Sequence, residues 1–75
     1  MKITVKLIGP FVQLFGFGEK EMEVAPATTI DGLLGLIAID KARPKIITRN
    51  GLAVGTDETV ENGDRIVISP IYSGG

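Results

Sequence analysis

The chain has 75 residues, of which 44% are apolar and 23% are charged, and its net charge is −1. This length fits one small domain, and the composition is that of a globular rather than a disordered chain. The sequence contains no cysteine, histidine or tryptophan, which excludes disulfides, cysteine-ligated zinc and catalysis by a histidine or a thiolate, so we expect a protein that is not itself an enzyme.

Charge and hydropathy exclude further classes of partner. The small negative charge argues against nucleic acid, which selects a basic surface. No apolar run approaches the ~20 residues that cross a bilayer, and the start of the chain alternates charged and apolar residues, unlike a signal peptide. We therefore expect a cytoplasmic chain with no nucleic-acid partner, no membrane partner and no metal site.

Strands are predicted where apolar residues alternate with polar ones or where β-branched residues cluster, in 2–8, 21–24, 45–49 and 65–69. In the second of these, Met22 and Val24 are expected to face inward. Asn50-Gly51 predicts a tight hairpin, because both residues tolerate a positive φ, and 52–54 is its return strand. Pro70 has no N–H, so the chain is predicted to leave the sheet there.

Two segments have helical spacing. Phe11, Leu14 and Phe15 predict one helical turn after Pro10. These aromatic side chains either close one end of the core or form a partner-facing patch, so Phe11 and Phe15 are candidate partner contacts. The main helix is predicted from the apolar period of Ile30, Leu33, Leu34 and Ile37.

The boundaries of the main helix are predicted from its flanking residues. Thr28 and Thr29 offer N-cap oxygens, and Asp31 stands three residues after Thr28, like the acid of a capping box. The helix is expected to end near Ile39 or Asp40, before the next proline.

The order of elements indicates an α+β fold. The last predicted strand has apolar residues on both faces, which favours a central position. If this strand lies parallel to the first, the result is a β-grasp, or ubiquitin-like, fold, with a mixed sheet of about five strands on one main helix. We expect a single domain, 1–75, with a globular body at 1–69 and a flexible Gly-Gly tail at 70–75.

The tail, Pro70-Ile71-Tyr72-Ser73-Gly74-Gly75, has the features of a reactive acyl end. Glycine has no Cβ, so the last residues could enter a channel too narrow for other side chains. ATP could convert a terminal carboxylate into an acyl-adenylate, and a sulfur donor could then produce a thiocarboxylate. This chemistry needs a slim acyl end and catalytic groups on another protein. The alternative is an ordinary frayed, glycine-rich end.

Residues 60–75 resemble the end of ubiquitin-like sulfur carriers, the group that includes the small subunit of molybdopterin synthase and the thiamine-thiazole sulfur carrier. The shared features are the Gly63-Asp64 turn, an apolar strand, Pro70 and the terminal Gly-Gly. The Asn50-Gly51 hairpin also fits this family. The resemblance implies that Gly75 is adenylated and thiolated, that Gly74 is its slim neighbour, and that Ile71, Tyr72 and Ser73 enter the partner.

The resemblance also implies the partners. An adenylating enzyme of the ubiquitin-activating type would use ATP, and a sulfur-accepting synthase would be the molybdopterin synthase large subunit or thiazole synthase; this chain would bind no cofactor itself. Pro70 favours the molybdopterin branch, for a molybdenum or tungsten cofactor. The compact stretch 10–18 replaces the longer, charged helix usual in that branch, which leaves a thiazole carrier or amino-acid sulfuration open.

Two readings outside sulfur transfer also remain. One is a protein modifier conjugated to lysines through Gly75, since the same activated carboxylate serves both purposes. The other is a plain β-grasp interaction module. Fold alone does not separate these functions.

Other residues have simpler roles. Asp64 is expected to bond backbone amides in its loop and to have no catalytic role. The cations Lys41, Arg43, Lys45 and Arg49 form either a solvated surface or a steering site for an acidic partner. The exposed sheet face, with Ile47 and Val67, is a second candidate docking surface.

Overall fold

The computed structural model describes residues 1–71. Two helices and a five-stranded sheet make up this part of the chain. Neither helix is long and apolar enough to span a bilayer. The elements are β1 (Lys2–Leu7), α1 (Pro10–Phe15), β2 (Glu19–Glu23), α2 (Ile30–Ile37), β3 (Lys45–Arg49), β4 (Leu52–Ala53) and β5 (Arg65–Pro70).

The sheet has the strand order β2-β1-β5-β3-β4. The first and last strands, β1 and β5, pair in parallel, whereas the pairs β1–β2, β3–β5 and β3–β4 are antiparallel. The last strand is therefore central, as its apolar residues on both faces predict. Because α2 packs on one face of this mixed sheet, the predicted α+β, ubiquitin-like β-grasp fold is confirmed.

The core lies between one face of the sheet and α2. Most of its side chains are aliphatic. Alternate residues of β1 and β5 contribute to it, because alternate residues of a strand point to the same side of the sheet. Burying these side chains is the main favourable contribution to folding. The most completely buried residues are Ile3, Val5 and Leu7 of β1, Ile66 and Ile68 of β5, Ile30, Leu33 and Leu34 of α2, Phe11 of α1, and Val60.

The predicted Asn50-Gly51 hairpin is present. Asn50 has φ 53° and Gly51 has φ 88°, and Arg49 pairs directly with Leu52 across the turn. Two consecutive residues with positive φ match the right-handed twist of the flanking strands, which is why this dipeptide is favoured there.

A buried carboxylate ties this hairpin to the start of β5. Asp64 accepts hydrogen bonds from the Glu61 amide, at 2.8 Å, and from Asn50 Nδ2, at 3.1 Å. The other side-chain atom of Asn50, Oδ1, accepts from the Arg65 amide at 2.8 Å. The structural role expected for Asp64, bonding a backbone amide of its own loop, is therefore confirmed.

The predicted start of α2 is confirmed, but its end differs from the prediction. Thr29 is the N-cap, since its Oγ1 accepts from the Gly32 amide at 3.0 Å, and Asp31 forms an ion pair with Lys41 rather than a capping box. The helix ends at Ile37, not near Ile39 or Asp40, because Ala38 adopts a left-handed conformation with φ 70°.

The second strand also differs in its bounds. It begins at Glu19, earlier than predicted, and ends at Glu23. Val24 follows the strand but is buried as expected, and it exchanges backbone hydrogen bonds of 2.8 Å with Met1. Met22 is half-buried against the core.

The last strand ends one residue later than predicted, because β5 includes Pro70, which pairs with Lys45. Along β5, alternate residues bond β3, as the bonds between Asn50 and Arg65 and between Ile71 and Pro44 show. Pro70 is one of the intervening residues, whose backbone groups point toward β1. Its nitrogen therefore faces the Ile8 carbonyl, which accepts from the Phe11 amide instead, at 3.3 Å. The proline costs no hydrogen bond at this position.

Two separate substitutions near the end of α2 should each stabilise the protein: glycine in place of Ala38, and alanine in place of Gly35. Ala38→Gly relieves a left-handed alanine and should stabilise the fold by about 0.5–1 kcal/mol. Gly35→Ala, where an added Cβ meets nothing within 4 Å, should contribute about 1 kcal/mol by helix propensity. Urea unfolding measures both, and a destabilised Ala38→Gly variant would contradict the assigned helix end.

Removing the buried carboxylate should loosen the hairpin from β5. Asp64→Ala leaves the Glu61 amide and Asn50 Nδ2 without their acceptor, so we expect a loss of about 1–3 kcal/mol in unfolding free energy. Asp57→Ala, at an exposed position, is the control and should change stability by less than about 0.5 kcal/mol. Equal effects of the two substitutions would show that the network contributes nothing.

Candidate functional site

The tail leaves the body at the end of the central strand. The Ile71 amide donates to the Pro44 carbonyl at 3.4 Å, and the Ile71 side chain is 49% exposed. We call Pro70 and Ile71 the tail root. Because β5 is paired with β1 on one side and β3 on the other, the tail root has a fixed position relative to the sheet.

The predicted site residues fall into two groups. Ile71 lies at the surface, where a partner can reach it. The residues predicted to enter the partner beyond it, and the predicted reactive residue, lie outside the described part of the chain. These are Tyr72, Ser73, Gly74 and Gly75.

The two aromatic candidates lie together on α1 but differ in exposure. Phe11 is 1% exposed and belongs to the core, so its side chain offers no surface for the direct contact predicted for it. Phe15 is half-buried and packs edge-to-face on Phe11, with ring centroids 5.5 Å apart. Partner contact by Phe15 stays a prediction, whereas Phe11 closes the end of the core under α1.

The sheet face opposite α2, here called the outer face, divides into two halves. The half next to the tail root carries no charge, and we call it the neutral patch. Strand register places its side chains together, since Ser69 pairs with Ile46 and Val67 pairs with Thr48. The neutral patch consists of Ile46 and Thr48 of β3, Ala53 of β4, and Val67 and Ser69 of β5.

The other half of the outer face is charged. Lysines of β1 lie opposite glutamates of β2, with Lys2 across from Glu23 and Lys6 across from Glu19. Arg65 of β5 reaches over β1 to Glu19, with an N–O distance of 2.9 Å. These opposite charges neutralise one another within the face, so this half offers a partner little unbalanced charge.

The structure corrects the predicted composition of the docking face. Ile47 is 7% exposed and lies in the core, whereas its neighbour Ile46 is 53% exposed on the outer face. Two adjacent isoleucines give no signal for which one points inward; the pairing of Ile47 with the buried Ile68 decides it. Val67 is half-buried and lies on the outer face as predicted.

The four cations predicted to form one cluster lie at opposite ends of β3. Arg49 lies at the hairpin end, where it donates to the Thr59 carbonyl at 2.8 Å and pairs with Glu58 at 3.3 Å. Lys41, Arg43 and Lys45 lie at the opposite end, beside the tail root.

The described residues present surfaces rather than a reaction chamber. Residues 1–71 enclose no pocket, and no group of three or more acidic side chains in that range is arranged to hold a metal ion. What this arrangement can do is hold an extended segment at a fixed place beside a neutral patch.

The comparisons with known proteins agree with this geometry. The family model described as ThiS family matches residues 5–75, and no curated protein matches the sequence. The solved structure of SAMP1 from Haloferax volcanii is 20% identical, with a TM-score of 0.82 and 100% of both chains covered.

Two further solved structures bear names related to molybdopterin. A Pyrococcus furiosus protein described as subunit 1 of molybdopterin converting factor is 26% identical, with a TM-score of 0.81, covering 93% of this chain and 97% of that one. A complex of subunits 1 and 2 of molybdopterin-converting factor from Helicobacter pylori contains a chain 16% identical, with a TM-score of 0.69 and 100% of both chains covered. Since the family model spans nearly all of the sequence, the chain belongs to the ThiS family and has the ubiquitin-like fold of small sulfur carriers.

Proposed function

We propose that this protein carries sulfur as a thiocarboxylate on Gly75. A carboxylate oxygen of Gly75 attacks the α-phosphorus of ATP on an activating enzyme, and pyrophosphate leaves. Hydrosulfide then attacks the acyl carbon of the adenylate and expels AMP, and loss of the remaining sulfur-bound proton leaves the thiocarboxylate. The thiocarboxylate sulfur adds to an electrophilic, doubly bonded carbon of a cofactor precursor, and the electron pair of the double bond takes up a proton. Water then cleaves the acyl–sulfur bond, which regenerates the carboxylate and leaves the sulfur on the precursor. The chain acts as co-substrate, not as catalyst.

The observation that supports this most directly is the position of the tail root within a sulfur-carrier fold. The central strand β5 ends at Pro70, and Ile71 is half exposed at its end. From Ile71, four residues reach at most about 14 Å, which is long enough to enter a neighbouring active site. The sequence holds no histidine or cysteine for catalysis of its own, so the chemistry belongs to the partners.

Molybdopterin synthesis is the pathway that we favour. The support is the likeness to the Pyrococcus furiosus protein described as subunit 1 of molybdopterin converting factor, at 26% identity. A second subunit accompanies the related Helicobacter pylori chain, and we propose a corresponding large synthase subunit as the acceptor here. Sulfur delivery to a thiazole and conjugation to lysines are the alternatives that the experiments below distinguish.

We also propose that the neutral patch docks the activating enzyme. The patch is continuous with the tail root, because Ser69 belongs to the patch and is followed directly by Pro70. An enzyme that takes in the tail must therefore approach the outer face beside Ile46. Apolar surface here gains binding free energy on burial, while in the charged half cations and glutamates lie opposite one another.

Changing the length of the tail should abolish the function. Deleting Gly75, or adding one residue after it, displaces the reacting carbonyl by about 3.5 Å, and we expect molybdenum-enzyme activity in a complemented deletion strain to fall by about 100-fold or more. Glu61→Gln, an exposed loop change, is the control. Thermal unfolding should show that all of these variants are folded.

The same strains separate the alternatives. If the folded Gly75 deletion keeps both molybdenum-enzyme activity and thiamine independence, the carrier proposal is refuted. If the Gly75 deletion makes growth depend on added thiamine but keeps molybdenum-enzyme activity, the carrier belongs to the thiazole pathway. If the deletion removes adducts on cellular lysines, the protein is a modifier.

A charge in the neutral patch should weaken docking. Ile46→Asp should raise the dissociation constant for the activating enzyme by about tenfold or more, equivalent to about 1.4 kcal/mol, as measured by isothermal titration calorimetry. Leu36→Asp, at a position of α2 that is 62% exposed, is the matched control and should bind normally. Weakening by Leu36→Asp alone would place the docking surface on the helix side.

A further inference from the structure

Three cations lie next to the tail root. The Pro44 carbonyl accepts the Ile71 amide, and Lys45 pairs with Pro70. The loop between α2 and β3, which contains Lys41 and Arg43, therefore lies against the point where the tail begins. We call Lys41, Arg43 and Lys45 the basic corner.

Much of the charge of the basic corner is unbalanced. Lys41 is paired with Asp31 at 2.8 Å. Among residues 1–71, no carboxylate oxygen lies within 4.0 Å of the charged nitrogens of Arg43 or Lys45. Lys45 Nζ donates to the Lys41 carbonyl at 3.1 Å, and Asp40 Oδ1 accepts from the Ala42 amide. Counting both aspartates, the corner retains a positive charge in a chain whose net charge is −1.

Arg43 lies beside the core without being neutralised. Its guanidinium is over the Phe11 ring, 5.9 Å from the centroid, at the outer limit of a cation–π contact. Arg43 is exposed, so its guanidinium donors can bind a carboxylate with two parallel hydrogen bonds.

Charge is distributed unevenly across the sheet. The glutamates of β2 at one edge are opposed by Lys2, Lys6 and Arg65 on the same face. The basic corner lies on the β3 side, three strand spacings or about 14 Å from β2, and there the positive charge exceeds the negative charge. Such an asymmetry orients a protein as it approaches a charged partner and raises the productive encounter rate.

The length of the tail limits which kind of ligand the basic corner can bind. If the tail extends into the activating site, its end lies up to about 14 Å from Ile71, so the basic corner cannot hold the nucleotide that reacts there. Small anions also bind in concave sites, and residues 1–71 form no pocket. A protein surface bearing carboxylates remains as the occupant that fits.

We propose that the basic corner binds aspartate or glutamate side chains at the mouth of the activating enzyme and steers the tail into it. This inference rests on the proposed function, because it names the charge of the surface that receives the tail. The corner positions the tail and takes no part in the chemistry.

The test is the association rate with the activating enzyme of the same organism, measured by stopped flow at about 0.05 M and about 0.5 M salt. Arg43→Gln with Lys45→Gln should lower this rate by about 5–10-fold at low salt and leave it near the wild-type rate at high salt. Lys2→Gln with Lys20→Gln, distant from the tail root, removes the same charge and should have a much smaller effect.

Two single substitutions separate charge from structure. Arg43→Lys keeps the charge and should retain the wild-type rate within about twofold. Asp31→Asn frees Lys41 and should raise the low-salt rate by about twofold. If the Arg43→Gln/Lys45→Gln and Lys2→Gln/Lys20→Gln variants associate at the same rate, the basic corner has no steering role.

Pyrophosphate release with saturating wild-type protein distinguishes the two proposals. If the wild-type protein supports pyrophosphate release and the Arg43→Gln/Lys45→Gln variant associates at the wild-type rate, only the proposal for the basic corner is overturned. No release from the wild-type protein would overturn the sulfur-carrier proposal and the corner together. Release combined with the salt-dependent loss supports both.

Discussion

The parallel pairing of β1 with β5 is the contact on which the rest of this molecule depends. It joins the two ends of the sequence, since Thr4 pairs with Arg65 and Leu7 with Ile68, and it must overcome the loop entropy of everything between them. In return, β5 gains a strand on each side, and its buried side chains complete the core. The end of the chain is thereby attached to the most constrained strand of the sheet.

This attachment explains why three features meet at one place. The tail root and the basic corner lie at the C-terminal end of β5, and the neutral patch begins beside them with Ser69 and Ile46. In the charged half of the outer face, cations and glutamates lie opposite one another, so the neutral patch is the half that suits an apolar partner surface. One orientation of a partner could therefore bury Ile46, meet the cations and receive the tail. Under the proposed function, the small body would present the reactive end to its partners.

The sequence predicts most of this fold, and the errors have physical causes. Alternation locates β1, a run of β-branched residues locates β5, and Asn50-Gly51 locates the hairpin, because these signals are local. The side of β3 that faces the core was misassigned, since Ile46 and Ile47 are equally apolar and only pairing with β5 separates them. Ala38 ends α2 early in a conformation alanine rarely adopts, and Pro70 stays in the sheet because the Ile8 carbonyl is already bonded. Of the site, Ile71 and the basic residues were predictable from sequence, but their proximity depends on strand register.

The central claim is that Gly75 carries sulfur, and intact mass spectrometry tests it most directly. The protein is incubated with the activating enzyme, ATP and sulfide, and the product is fragmented to locate any change. The account predicts that one oxygen is replaced by sulfur and that the change maps to Gly75. An unchanged mass under conditions in which pyrophosphate is released, or sulfur located at any other residue, would contradict it.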